Sequence, residues 1–122
     1  LSPPPYGVNA NLVHRVSEFY RQIYYLSGKI DKRDKFGIWL KIENSCLETL
    51  RLIIKASLTS KIDKLPLLDS ARTEIEVVKR LLTITHELKI IQTKNYLQLE
   101  SDLQEISKMT NGWIKYLQQK GL

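Results

Sequence analysis

One cysteine, one methionine, five glycines and no apolar run near the ~20 residues of a membrane-spanning helix leave this chain of 122 residues few architectures. The lone Cys46 excludes an internal disulfide and reads as a small core residue, in keeping with a reducing, cytoplasmic setting. The two histidines, His14 and His86, form no His-x-x-x-His pair, and no Cys-x-x-Cys is present, so neither a metal nor another cofactor is expected. Glu43, Glu48, Glu100, Asp102 and Glu105 occupy polar helix positions without the Glu-x-x-His pairs of a di-iron bundle. No glycine-rich loop exists to cradle a phosphate. Three of the four prolines are Pro3, Pro4 and Pro5, so Pro66 is the single helix breaker in the rest of the chain. The first residues, LSPPPYG, have neither the basic start nor the apolar stretch of a signal peptide.

What is present is helical periodicity. Tyr96, Leu99, Leu103, Ile106, Thr110, Trp113 and Leu117 recur at steps of three and four with polar residues between them, which is one face of a long helix seeking partners. A first helix, opening at Asn9 or Asn11 as cap, has the seam Val13, Val16, Tyr20, Ile23, Ser27 and Ile30, widened by Leu12, Phe19 and Leu26. A second, capped by Asp34, spans about 35–59 and carries Phe36, Trp39, Leu40, Ile42, Cys46, Leu47, Leu50, Ile53, Ile54 and Leu58. Those positions cover two faces, so the helix is central in the bundle or shows its second face to another subunit. A third, with Pro66 in its first turn and Asp69 at its positive end, buries Leu68, Ala71, Ile75, Val78, Leu82 and Thr85, with Leu67, Leu81 and Leu88 alongside. A fourth begins at Thr93 or Asn95, and Gly112 within it points to close backbone approach or a kink, with a plain flaw in the helix as the alternative. Short connections between such helices predict an all-α, antiparallel up-down-up-down four-helix bundle over residues 9–120, preceded by a flexible Pro-rich lead-in over 1–8.

Nineteen Lys and Arg against thirteen Asp and Glu give a net charge of +6, and residues 1–61 carry ten basic and five acidic groups against nine and eight in 62–122. Such a chain favours polyanions, nucleic acid first. Arg51, Lys55, Arg72, Lys79 and Arg80, on the two central helices, are the candidate nucleic-acid or polymerase contacts. Tyr24, Tyr25 and Tyr116 read as packing residues of the core or a subunit seam, with stacking on unpaired bases as the alternative. Arg80 and His86 have the Arg-x5-His spacing of helical HEPN ribonucleases, in which an imidazole works beside a phosphate-holding arginine. On a continuous helix that spacing turns the two side chains apart.

Two segments carry a resemblance. KIDKLPLLDSA (Lys61 to Ala71) and MTNGWIKYL (Met109 to Leu117), with KFGIWLKIENSCLETLRLII (Lys35 to Ile54) between the first two helices' turn and the second helix's end, resemble the accessory variability determinant (Avd) family of diversity-generating retroelements over roughly residues 19–118. Asn111 stands where that family usually has the first Gly of a pair. The resemblance implies a four-helix protomer assembling into a homopentameric barrel, without enzymatic activity. It also implies association with the reverse transcriptase and with template RNA, in support of cDNA synthesis during mutagenic retrohoming. The four-helix protein of ribosomal RNA intervening sequences is a related alternative, and a purely structural helical adaptor is another.

Overall fold

The computed structural model describes residues 8–119, with side chains from residue 10 onward, and the Pro-rich lead-in falls outside them except for Val8. Helix α1 (Val8–Leu26) passes through a 3-10 turn (Ser27–Lys29) and the single-turn helix α2 (Lys32–Lys35) into α3 (Ile38–Ser57), followed by α4 (Lys61–Glu87) and α5 (Thr93–Gln119). The described residues contain no strand. Side-by-side packing joins α1 to α3, α3 to α4, α4 to α5 and α5 back to α1, which closes a square in chain order. Lys64 at the start of α4 lies over the ring of Trp113 at the end of α5, while Tyr96 near the start of α5 meets Thr83 and His86 late in α4. The neighbours are therefore antiparallel, as the short links require.

The core lies where the apolar periodicity places it. All six third-helix positions, Leu68, Ala71, Ile75, Val78, Leu82 and Thr85, are buried in α4. In α1 the line is shifted from the expected seam: Leu12 and Phe19, expected to widen it, are buried with Val16 and Ile23, while Val13 and Tyr20 are half-buried at its margins with Leu26. In α5 the stripe is broader than a narrow seam, since Ser107 and Ile114 are buried beside Leu99, Leu103, Ile106, Thr110, Trp113 and Leu117. Cys46 is buried in this core, and the loss of hydration pushes its thiol up to about 12. At neutral pH it stays a thiol.

Helix ends depart from the expected ones for local reasons. α1 starts at Val8, ahead of both candidate caps. Asp34 caps nothing: it sits within α2 and pairs with Arg33, and α3 begins after Gly37. The chain turns at Phe36–Gly37, where a Cβ on Gly37 would stand 2.9 Å from the Arg33 carbonyl oxygen. α4 starts at Lys61, earlier than Pro66 indicates; its N-cap Ser60 makes no side-chain bond to the helix backbone, and its hydroxyl reaches the Asp63 carboxylate at 3.3 Å. Pro66 is therefore inside the helix, at an exposed position where water can take the carbonyl it leaves unpaired. Leu88, expected beside the core, is exposed at the helix end. There the Ile90 N–H donates to Thr85 O (2.8 Å) and the Lys89 N–H to His86 O (3.0 Å), with Lys89 at φ 60°. This is a Schellman ending that favours glycine at the left-handed position. Lys89→Gly is expected to raise the stability read from the denaturation midpoint by about 0.5–1 kcal/mol.

At Gly112 the structure decides among the expected readings. α5 is one continuous helix through it, and no atom lies within 4 Å of where its Cβ would stand. Within the protomer it is an unfavourable residue in an open place, not a point of close approach. Gly112→Ala should stabilise the chain by up to about 1 kcal/mol. Gly37→Ala should destabilise it by about 1–3 kcal/mol, because the neighbour at Gly37 is backbone and cannot move aside cheaply. Urea titration followed by helicity separates the two, and a shared sign would contradict this assignment.

Candidate nucleic-acid interface

The five basic residues singled out from sequence do not form one patch. Arg51 and Lys55 lie near the end of α3, and Arg80 lies late in antiparallel α4, roughly 25 Å from Lys55 along the bundle at 1.5 Å per residue. Arg51 is held in a two-pronged pair with Glu48 (2.8 and 2.9 Å), which lowers the Glu48 pKa and raises that of Arg51. Arg72 pairs with Asp69. Lys79 turns toward α5, its ammonium 3.3 Å from both the Glu76 carboxylate and the Ser107 hydroxyl. Lys55 and Arg80 have no ion pair among the described residues, and both are exposed.

Pairing one turn away recurs along α1, α3 and α4, at Arg21, Arg51, Arg72 and Lys79. At one end, the stretch from Lys29 to Lys35 holds Lys29, Lys32, Arg33 and Lys35 against Asp31 and Asp34. At the other, Lys64 is half-buried, donates to the Ala56 carbonyl (2.5 Å) and covers the Trp113 ring at 5.8 Å. Burial lowers its pKa. Lys64 thus ties α3, α4 and α5 together and is a structural lysine.

The second apolar face of the central helix is real. Leu40, Leu47 and Ile54 repeat every seven residues along α3 and stay about two-fifths exposed, and Leu58 beyond them is almost fully so. A ridge of this kind along a whole helix is uncovered in the protomer. Tyr24 and Tyr25 are also exposed, which rules out the core reading for both, while Tyr116 is half-buried against the core. Sequence carried one hint of this: Tyr25 falls outside the three-and-four spacing of α1.

Arg80 and His86 do not converge. Six residues along α4 set them about 120° apart around its axis. The His86 ring lies flat on Tyr96, centroids 4.3 Å apart at 3°, with Nε2 3.0 Å from the Thr93 hydroxyl. Hydrogen bonding to Glu100 raises the Tyr96 pKa. Arg80 instead lines an open groove with Thr73, Val77 and Thr83. An imidazole beside a phosphate-holding arginine is not formed. Among the described residues no three His, Cys, Asp or Glu side chains are grouped to hold a metal ion, and no helix is long and apolar enough to cross a membrane.

A basic antiparallel four-helix bundle with an uncovered apolar ridge is the class of protein this geometry defines. A family model described as bAvd-like matches residues 11–117. The chain belongs to that family, which points to an accessory protein of a diversity-generating retroelement. No curated protein matches it.

Proposed function

We propose that this chain is a non-enzymatic subunit that brings template RNA and the reverse transcriptase together during cDNA synthesis and mutagenic retrohoming, acting as a homopentamer in the cytoplasm without a cofactor. The observation that carries the reading is the uncovered ridge Leu40, Leu47 and Ile54 in a basic chain of the bAvd-like family. The ridge supplies a seam between protomers, and the cations away from it supply the grip on phosphates. Lys55 and Arg80 are the first contacts, since neither gives up an acid partner to bind; Arg72 and Lys79 exchange a carboxylate for a phosphate or for an acidic polymerase surface, and Arg51, one turn from both Leu47 and Ile54, does so at the margin of the seam.

Charge reversal tests this directly. Lys55→Glu with Arg80→Glu should weaken RNA binding by about tenfold or more at low salt and flatten the salt slope by about 0.7–0.9 for each phosphate that is no longer neutralised. Helicity and assembly mass should stay as they are. Unchanged RNA affinity in this variant removes the assignment of these residues.

A further inference from the structure

The end of the bundle made by the last turn of α1, the 3-10 turn, α2 and the start of α3 carries three exposed rings: Tyr24 is 57 %, Tyr25 73 % and Phe36 61 % exposed. Tyr24 and Tyr25 meet edge to face with centroids 6.0 Å apart, and Tyr20 backs Tyr24 at 6.3 Å. The same stretch of chain is rich in cations. Lys29 and Lys32 have no ion pair among the described residues, and the Lys35 ammonium lies 5.8 Å over the Phe36 ring. Of the two acids in this stretch, Asp34 is engaged by Arg33.

Two features say what covers these rings. Tyr24 and Tyr25 are consecutive, so their side chains leave the helix about 100° apart. A flat helix face from a second copy meets the two rings from one side only. A flexible strand that bends over the helix end can use both. The surrounding positive charge then selects a strand whose backbone is anionic.

We propose that this end of the bundle is a stacking platform for unpaired bases of single-stranded RNA, with Tyr24 and Tyr25 under the bases and Lys29 and Lys32 on the phosphates. The proposal rests on the nucleic-acid reading above and adds which form of the strand is held, and by which side chains. Paired bases are already stacked within a duplex and offer no free face, so the platform discriminates against double-stranded RNA.

The test compares binding of an unstructured ~20-nucleotide RNA and a duplex of equal length to the full chain and to a Tyr24→Leu/Tyr25→Leu variant, at low salt. Leucine keeps apolar bulk and helix propensity but removes the ring. The expected result is at least a roughly tenfold loss for the single strand, less than about twofold for the duplex, and unchanged helicity and sedimentation mass. Tyr24→Trp/Tyr25→Trp should retain single-strand affinity. Equal losses on both RNAs, or no loss on either, overturn the platform while leaving charge-based binding standing. A fall in assembly mass with single-strand affinity intact shows that the rings cover a second copy, and overturns it too. If the unaltered chain binds neither RNA, the nucleic-acid reading itself fails and the platform with it.

Discussion

Leu47→Glu is expected to release 14.2 kDa protomers from the assembly proposed above, without unfolding them. In the protomer Leu47 is 43 % exposed, midway along the α3 ridge between Leu40 and Ile54. A glutamate there is solvated and suits a helix, so the bundle should keep its helicity, apart from a few tenths of a kcal/mol of repulsion from Glu43 one turn away. In a seam between copies the same carboxylate is desolvated, and Arg51, the cation one turn on, is already held by Glu48. That costs at least ~2 kcal/mol per interface, and a closed ring repeats the cost at every joint. Sedimentation equilibrium reads the result, with Leu47→Ala as the milder arm. An unaltered chain that sediments at 14.2 kDa, or a Leu47→Glu variant that keeps the assembly mass, excludes the ridge as the seam.

The second large effect belongs to Trp39. It is the largest fully buried side chain in the bundle, and its indole N–H donates to the Ile23 carbonyl at 2.9 Å, fastening the start of α3 to the last turn of α1. Trp39→Ala should cost about 3–5 kcal/mol, a large share of the ~5–15 kcal/mol that holds a domain folded. Trp39→Phe keeps most of the volume but leaves the buried Ile23 carbonyl without its indole partner, so about 1–2 kcal/mol is expected there. Trp113, buried near the far end of α5, remains as a fluorescent reporter in both variants. Guanidinium titrations give both values. A loss below about 1 kcal/mol for Trp39→Ala would mean that the α1–α3 joint is held elsewhere.

How far residues alone locate structure differs by feature. Burial in α4 follows residue by residue from the spacing of Leu68 to Thr85, because a long helix repeats one geometry and averages over local accidents. Ends are less legible, since they turn on single hydrogen bonds. α4 starts at Lys61, before Pro66, and Gly37 breaks what reads as one helix from Lys35. The candidate interface is the least legible. Arg51, Arg72 and Lys79 look like free cations in sequence, yet each meets an acid one turn away along its own helix. Those partners stand three residues upstream in every case, so the spacing was visible. What it does not reveal is which of the possible rotamers the surrounding helices leave open.

By itself the amino-acid order determined an all-helical chain of four long amphipathic segments, a basic balance, a central helix apolar on two faces, and membership of the bAvd-like family. Each of these is a matter of period or composition, which a one-dimensional pattern carries in full. Tertiary packing decided which of the two apolar faces of α3 is covered, that Tyr24 and Tyr25 stand in water, and that Arg80 and His86 stay apart. Those outcomes depend on how four cylinders rotate about their own axes when they meet, and that rotation is set by the fit of all four cores at once.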